Sequence, residues 1–206
     1  MKNYLLSRQV AGLALAALII LVTVLAFSYH GARARLDRIA HASLMEAGEA
    51  VTLLRDAPVI LENARRALEQ FNCSPSMLKE EEPDTAVYYY LMIHLHGVYF
   101  EELRDHVDTL YSANGLEMPS NLSLGLRRIV DYLQDLAQDY YSAMVGGRPF
   151  SCGEMPRGDT LSRLSSLLDS MHDEIYRAIE GGGFNGFSYE VIQAVMEVGV
   201  ELDSLG

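Results

Sequence analysis

The spacing of apolar residues along this chain predicts helices throughout and no strand. After about residue 58, apolar positions recur every three or four residues, which places them on one face of a helix. Segments rich in Gly, Pro, Ser and Asn separate the helical stretches, which cover about residues 58–71, 85–113, 123–146, 159–180 and 189–202. We therefore expect an all-α fold in which an antiparallel bundle of four to five helices follows the N-terminal segment.

The longest of these predicted helices, over residues 85–113, carries a continuous apolar face. This face predicts a buried stripe, made of Tyr88, Met92, Leu95, Tyr99, Leu103, Val107 and Leu110. The segment before it, from residue 73 to residue 85, contains Pro, Ser and a short acidic run and is predicted to be a loop.

The N-terminal segment has a different pattern, because residues 10–27 carry no charge at all. A run of this length crosses the hydrocarbon core of a bilayer as a helix. We predict a short flank over 1–9, a transmembrane signal-anchor over 10–28 in contact with membrane lipid, a helical stalk over 29–56 and a soluble bundle domain over 57–206. A cleaved signal peptide is the alternative, since Ala26 and Ser28 are small residues suited to cleavage before Tyr29. We favour the anchor because signal peptides have apolar runs of only about 7–15 residues.

The charge balance narrows the classes of partner. The chain has 28 acidic and 16 basic residues and a formal net charge of −12. An acidic domain repels nucleic acid and anionic lipid surfaces, and no basic patch interrupts this pattern. We therefore predict no nucleic-acid partner.

The chain has two cysteines, Cys73 and Cys152, and both fall in predicted loops. An even pair of loop cysteines favours a disulfide and therefore an oxidising compartment. Positive charge on the two sides of the anchor is nearly balanced, so it gives little information on orientation. From the cysteines we predict a C-terminal domain in the periplasm or the extracellular space. Two unrelated thiols in a cytoplasmic protein are the alternative.

No motif for nucleophilic catalysis or phosphate binding occurs in the sequence, so neither an enzyme nor a cofactor is predicted. Some His and acidic residues have the helical spacing that chelates metals: Glu102 and His106 are four apart, and Asp169 and His172 are three apart. A di-metal bundle, however, uses Glu-x-x-His motifs, which this chain lacks. We favour solvated or paired side chains and keep these residues as metal candidates.

Two groups of tyrosines point to a possible contact surface. Residues 88–90 and 140–141 place tyrosine rings around their helices, so some rings must lie at the edge of the core. Tyrosine is common at interfaces because it buries a large ring and keeps its hydroxyl wet. The interface candidates are Tyr88, Tyr89, Tyr90, Tyr140 and Tyr141, although an edge-of-core role explains them equally well.

Together these features favour a single-pass, non-enzymatic accessory or scaffolding subunit of a membrane or envelope complex, with a protein partner. The first alternative is a ligand or redox sensor built as a periplasmic bundle. That alternative rests on architecture alone, and such receptors normally have a second span and an output region. The second alternative is a metal-binding helical bundle.

Overall fold

The described part of the chain is all-helical. The structure is a computed structural model that describes residues 2–181 and 183–205, with side chains from residue 18 onward. Within these residues there is no strand, and the α-helices are α1 (Lys2–Leu54), α2 (Ala57–Gln70), α3 (Pro75–Glu81), α4 (Pro83–Ala113), α5 (Ser120–Gly146), α6 (Asp159–Gly181) and α7 (Tyr189–Asp203). A short 3-10 helix, Cys152–Glu154, lies between α5 and α6. The expectation of an all-α protein is confirmed.

The chain divides into two compact units, Met1–Ile39 and Ala40–Gly206. In the first unit the apolar side chains from Leu18 to Phe27 are exposed, and one helix near the N-terminus is long and apolar enough to cross a membrane. The second unit begins inside the segment for which the sequence predicts a stalk. Leu44, Val51 and Leu54 are buried in this second unit, so the last turns of α1 belong to its core.

Local signals in the sequence account for several helix ends. Ser188 caps α7 by accepting a hydrogen bond from the backbone N–H of Val191 at 3.3 Å. Gly147 ends α5 in the left-handed conformation, with a φ of 62° that only glycine adopts at no cost. The prediction of a loop between Cys73 and Thr85 is wrong, because Ser74 caps a short helix there, α3, which starts at Pro75.

Helices α4 and α5 lie against each other and run in opposite directions. Gly97 of α4 lies against Leu133 of α5, whereas Tyr90, two turns earlier in α4, contacts Tyr141, two turns later in α5. A Cβ atom at Gly97 would meet Leu133 Cβ at 3.6 Å, so this helix pair is close without being crowded.

Helices α5 and α7 make a closer contact, in which backbone meets backbone. A Cβ atom at Gly125 would lie 2.7 Å from the carbonyl oxygen of Val195, and one at Gly199 would lie 2.7 Å from the carbonyl oxygen of Gly125. Both positions therefore depend on the absence of a side chain. The two glycines bring α5 and α7 together on one side of the core.

The first half of α4 is buried on a different face from the one that the sequence predicts. Tyr88 and Leu95 are exposed and Met92 and Tyr99 are only half-buried, so that part of the predicted stripe is wrong. The residues that enter the core are instead Ala86, Ile93, His96, Gly97 and Phe100. From Leu103 onward the predicted and observed faces agree. The first half of α4 is apolar on nearly all sides, so its own pattern does not fix which side is buried.

Candidate functional site

The two cysteines form a disulfide, as the sequence predicts. Cys73 follows the end of α2 and Cys152 begins the 3-10 helix, and their Cα atoms are 5.5 Å apart across 79 positions of sequence. Close by, the hydroxyl of Tyr132 in α5 donates a hydrogen bond to the carbonyl oxygen of Glu154 at 2.8 Å. Burial raises the pKa of Tyr132, so this hydroxyl keeps its proton. The disulfide therefore joins α2 to a segment that is itself fixed to α5.

The metal candidates do not come together in the structure. His106 is 3.2 Å from the carboxylate of Glu46, and Asp169 is paired with Arg55 at 2.8 Å. The ring of His172 stacks on Tyr176 with centroids 4.3 Å apart, while Glu102 is exposed to solvent. Within the residues that the structure describes, no three His, Cys, Asp or Glu side chains are grouped to hold a metal ion.

The tyrosine candidates divide into one core residue and four residues at the surface or its edge. Tyr140 is fully buried, its ring meets Phe150 edge-on, and burial raises the pKa of its hydroxyl. It is therefore unavailable to a partner, and its place among the interface candidates is corrected to the core. Tyr88 and Tyr141 are exposed, and Tyr89 and Tyr90 are half-buried. A contact between the rings of Tyr90 and Tyr141, at 5.1 Å, joins the edges of α4 and α5.

An exposed apolar face runs along the first half of α4. Leu91 is 47% exposed, Leu95 is 37% exposed, and Tyr88 and Val87 next to them are exposed as well. We call the positions that share this face the α4 stripe, which consists of the exposed Tyr88, Leu91 and Leu95 and the half-buried Val98. Exposed single apolar residues are ordinary, but adjacent ones on one helix face are typical of a binding surface. The sequence indicates a surface role for Tyr88 but not for Leu91, because the predicted buried stripe places this face of α4 in the core.

Acidic side chains border the α4 stripe at both ends. On the N-terminal side lie four exposed carboxylates, which are Glu80, Glu81, Glu82 and Asp84, with the cation Lys79. On the C-terminal side lie the half-buried Glu101 and three exposed carboxylates, which are Glu102, Asp105 and Asp108, with the cation Arg104. Arg104 contacts Asp105 at 2.9 Å and Glu101 at 3.7 Å. Each end therefore has four carboxylates against one cation.

A buried histidine lies on the opposite, inward side of α4. His96 is almost completely buried, and its Nδ1 atom has no hydrogen-bond partner among the described residues. Burial lowers the pKa of His96, and the negative charge of Asp56 opposes this effect. The side chain is thus neutral at pH 7, which is compatible with a packed core.

A groove of about 350 Å³ lies between α6 and α7. Its apolar lining includes Leu167 and Val198, and Ser166 lies beside them on α6. Its charged lining consists of two guanidinium groups and four carboxylates, which are Arg163, Arg177, Asp173, Glu174, Glu190 and Glu197. The volume is at the low end of what small-molecule sites have.

Comparison with known proteins finds no matching family model, no similar curated protein and no similar solved structure.

Proposed function

We propose that this protein is a membrane-tethered, non-enzymatic accessory or scaffolding subunit that holds a partner protein on its compact unit, Ala40–Gly206. The observation that carries this proposal is the α4 stripe, in which Leu91 and Leu95 present apolar surface to water on one helix face. Such surface is costly to leave uncovered, and it is typical of a protein-binding site.

The N-terminal helix supports the tether in this proposal. Its exposed run from Leu18 to Phe27 suits the interior of a bilayer, and Arg33, Arg35 and Arg38 follow it at the spacing of an interfacial segment. We propose that residues 10–28 stay attached as an uncleaved anchor.

The disulfide supports a proposed location of the compact unit on the oxidising side of the membrane. A pair such as Cys73 and Cys152 forms and persists in an oxidising compartment, as in the periplasm or outside the cell. We propose that the compact unit lies in such a compartment, and that its helices form an antiparallel bundle of which the α4 and α5 pair is one part.

Site-specific photocrosslinking in native membranes tests the docking role. A photoreactive amino acid at position 91, on the α4 stripe, should give one defined crosslinked membrane protein, identified by mass spectrometry. The matched control is position 124 on α5, since Leu124 is 42% exposed and Leu91 is 47% exposed. The same crosslinked product from both positions, or none from position 91, would contradict docking at the stripe.

Ligand sensing is a second candidate, and the groove between α6 and α7 favours it. Two guanidinium groups, those of Arg163 and Arg177, line this groove beside four carboxylates, so it suits a small molecule that carries both charges, such as a free amino acid. A screen of small zwitterionic molecules by thermal shift, with Arg177→Gln as the control variant, tests this candidate. Stabilisation that Arg177→Gln removes would favour it over docking.

A further inference from the structure

The partner helix that the α4 stripe fits has a definable chemistry. We propose that it carries an apolar seam with Lys or Arg side chains at both ends, an inference that rests on the docking role proposed above. Three features of α4 support it: the spacing of its exposed residues, the acidic charges that border them, and the repulsion by which those charges exclude a second copy of this chain.

The exposed positions of α4 have the spacing of a coiled-coil seam. They advance by steps of four and three residues, which is the a and d pattern of a heptad, through Asp84, Tyr88, Leu91, Leu95, Val98, Glu102 and Asp105, of which Val98 alone is half-buried. The four central positions are apolar and the outer ones are acidic. At a rise of 1.5 Å per residue, the apolar part is about 15 Å long and Asp84 lies about 27 Å from Glu102. One helix laid along α4 would cover this length.

The acidic ends exclude a second copy of this chain as the occupant. In a parallel pair, Asp84 would face its own equivalent, and in an antiparallel pair it would face Glu102 or Asp105. Either arrangement sets carboxylates against carboxylates, which opposes association. The same repulsion opposes an anionic lipid surface. A helix with cations about 27 Å apart would instead meet attraction at both ends of its seam.

A pair of designed peptides tests this complementarity on the full-length protein in phosphatidylcholine nanodiscs. Both peptides are labelled helices with Leu at four consecutive a and d positions; one carries Lys at both ends and the other carries Glu. Binding is measured by fluorescence anisotropy, with empty nanodiscs as the blank. We expect the Lys-ended peptide to bind about tenfold more tightly in 50 mM salt, with the difference nearly lost in 1 M salt.

Variants assign the effect to the stripe and to its ends. Leu91→Ser should abolish binding of both peptides, whereas Leu124→Ser, at a similarly exposed leucine of α5, should not change it. Asp84→Lys combined with Glu102→Lys should reduce the preference for the Lys-ended peptide at least threefold. Sedimentation of the nanodisc-embedded protein without peptide should show one copy.

Equal binding of the two peptides, failure of the Lys-ended peptide to bind, or self-association through Leu91 would each overturn the inference. Photocrosslinking distinguishes a failure of the proposed cationic ends from a failure of the docking role itself. A partner captured specifically at position 91, together with equal peptide binding, would leave the docking role intact and reject only the cationic ends. No specific capture at position 91 would reject the docking role.

Discussion

Gly125→Ala probes the closest helix contact in the fold. The added methyl group would lie 2.7 Å from the carbonyl oxygen and 2.8 Å from the carbonyl carbon of Val195. These are backbone atoms of α7, so no side-chain rotation relieves the overlap, and α5 and α7 must move apart. The separation would loosen Leu126 and Leu202, which are fully buried residues on these two helices.

The expected cost follows from two opposing effects. An extra methyl group in a packed core costs about 1–3 kcal/mol. Replacing a mid-helix glycine by alanine gains about 0.5–1 kcal/mol where space allows. Because the obstruction at Gly125 includes the backbone of Val195, we expect the upper end of the packing cost and a net loss of about 2 kcal/mol. For a unit of this size that loss lowers the melting temperature by about 4–8 °C.

The assay is thermal and urea unfolding of the full-length protein in detergent, followed by circular dichroism. Gly97→Ala is the matched control, since a methyl group there would meet Gln134 Cγ at 3.5 Å and Leu133 Cβ at 3.6 Å, which are ordinary contacts. That variant should be stabilised by about 0.4–1 kcal/mol. If Gly125→Ala behaves like Gly97→Ala, the close contact between α5 and α7 is refuted.

Three further predictions concern the disulfide, the buried histidine and a loop contact. Replacing Cys73 and Cys152 by Ser should lower the free energy of unfolding by about 4 kcal/mol, because a long loop is no longer closed; an unchanged urea midpoint would contradict this. His96 has a pKa below its ordinary 6.5, so the unfolded state takes up more protons and the wild type should lose stability as the pH falls below 6.5. His96→Leu should reduce that loss. If the unfolding midpoint changes with pH equally in the wild type and in His96→Leu between pH 7.5 and 5.5, His96 does not cause the loss. Tyr111→Phe removes the acceptor for the buried N–H of Phe187 at 2.9 Å, which should cost about 1–3 kcal/mol and speed amide exchange at Phe187; unchanged exchange would count against this contact.

The helices were predictable because their ends are marked by residue type, whereas the buried side of α4 was not. Asn114 and Gly115 end α4, and Gly147 ends α5, at the places that turn chemistry predicts. In the first half of α4, both Leu91 and Ile93 suit a core, so periodicity alone allows two faces. Packing against α5 decides between them, since Gly97 and the buried residues near it lie against Leu133 and Gln134 of α5.

The candidate site was harder to predict, because its residues are defined by what the rest of the fold leaves uncovered. Leu91 and Leu95 look like core residues in sequence, and only the position of α5 shows that they are outside. Conversely, Tyr140 was an interface candidate and is fully buried. The disulfide between Cys73 and Cys152 was predictable because only one pairing was possible.

A short stripe suits a partner that is already confined near this protein. Four apolar positions over about 15 Å of helix give a small contact, and contacts of that size are typical of weak or transient complexes. A membrane tether allows such a weak contact to be occupied, because two proteins held in one membrane meet at a high effective concentration. The acidic residues at both ends, such as Asp84 and Glu102, would then act mainly on specificity by repelling further copies of this chain and other acidic proteins. The apolar centre would supply the attraction, and the charged ends would select the partner. Leu91→Ser should therefore weaken the binding of every partner, whereas Glu102→Lys should weaken the binding of cationic partners only.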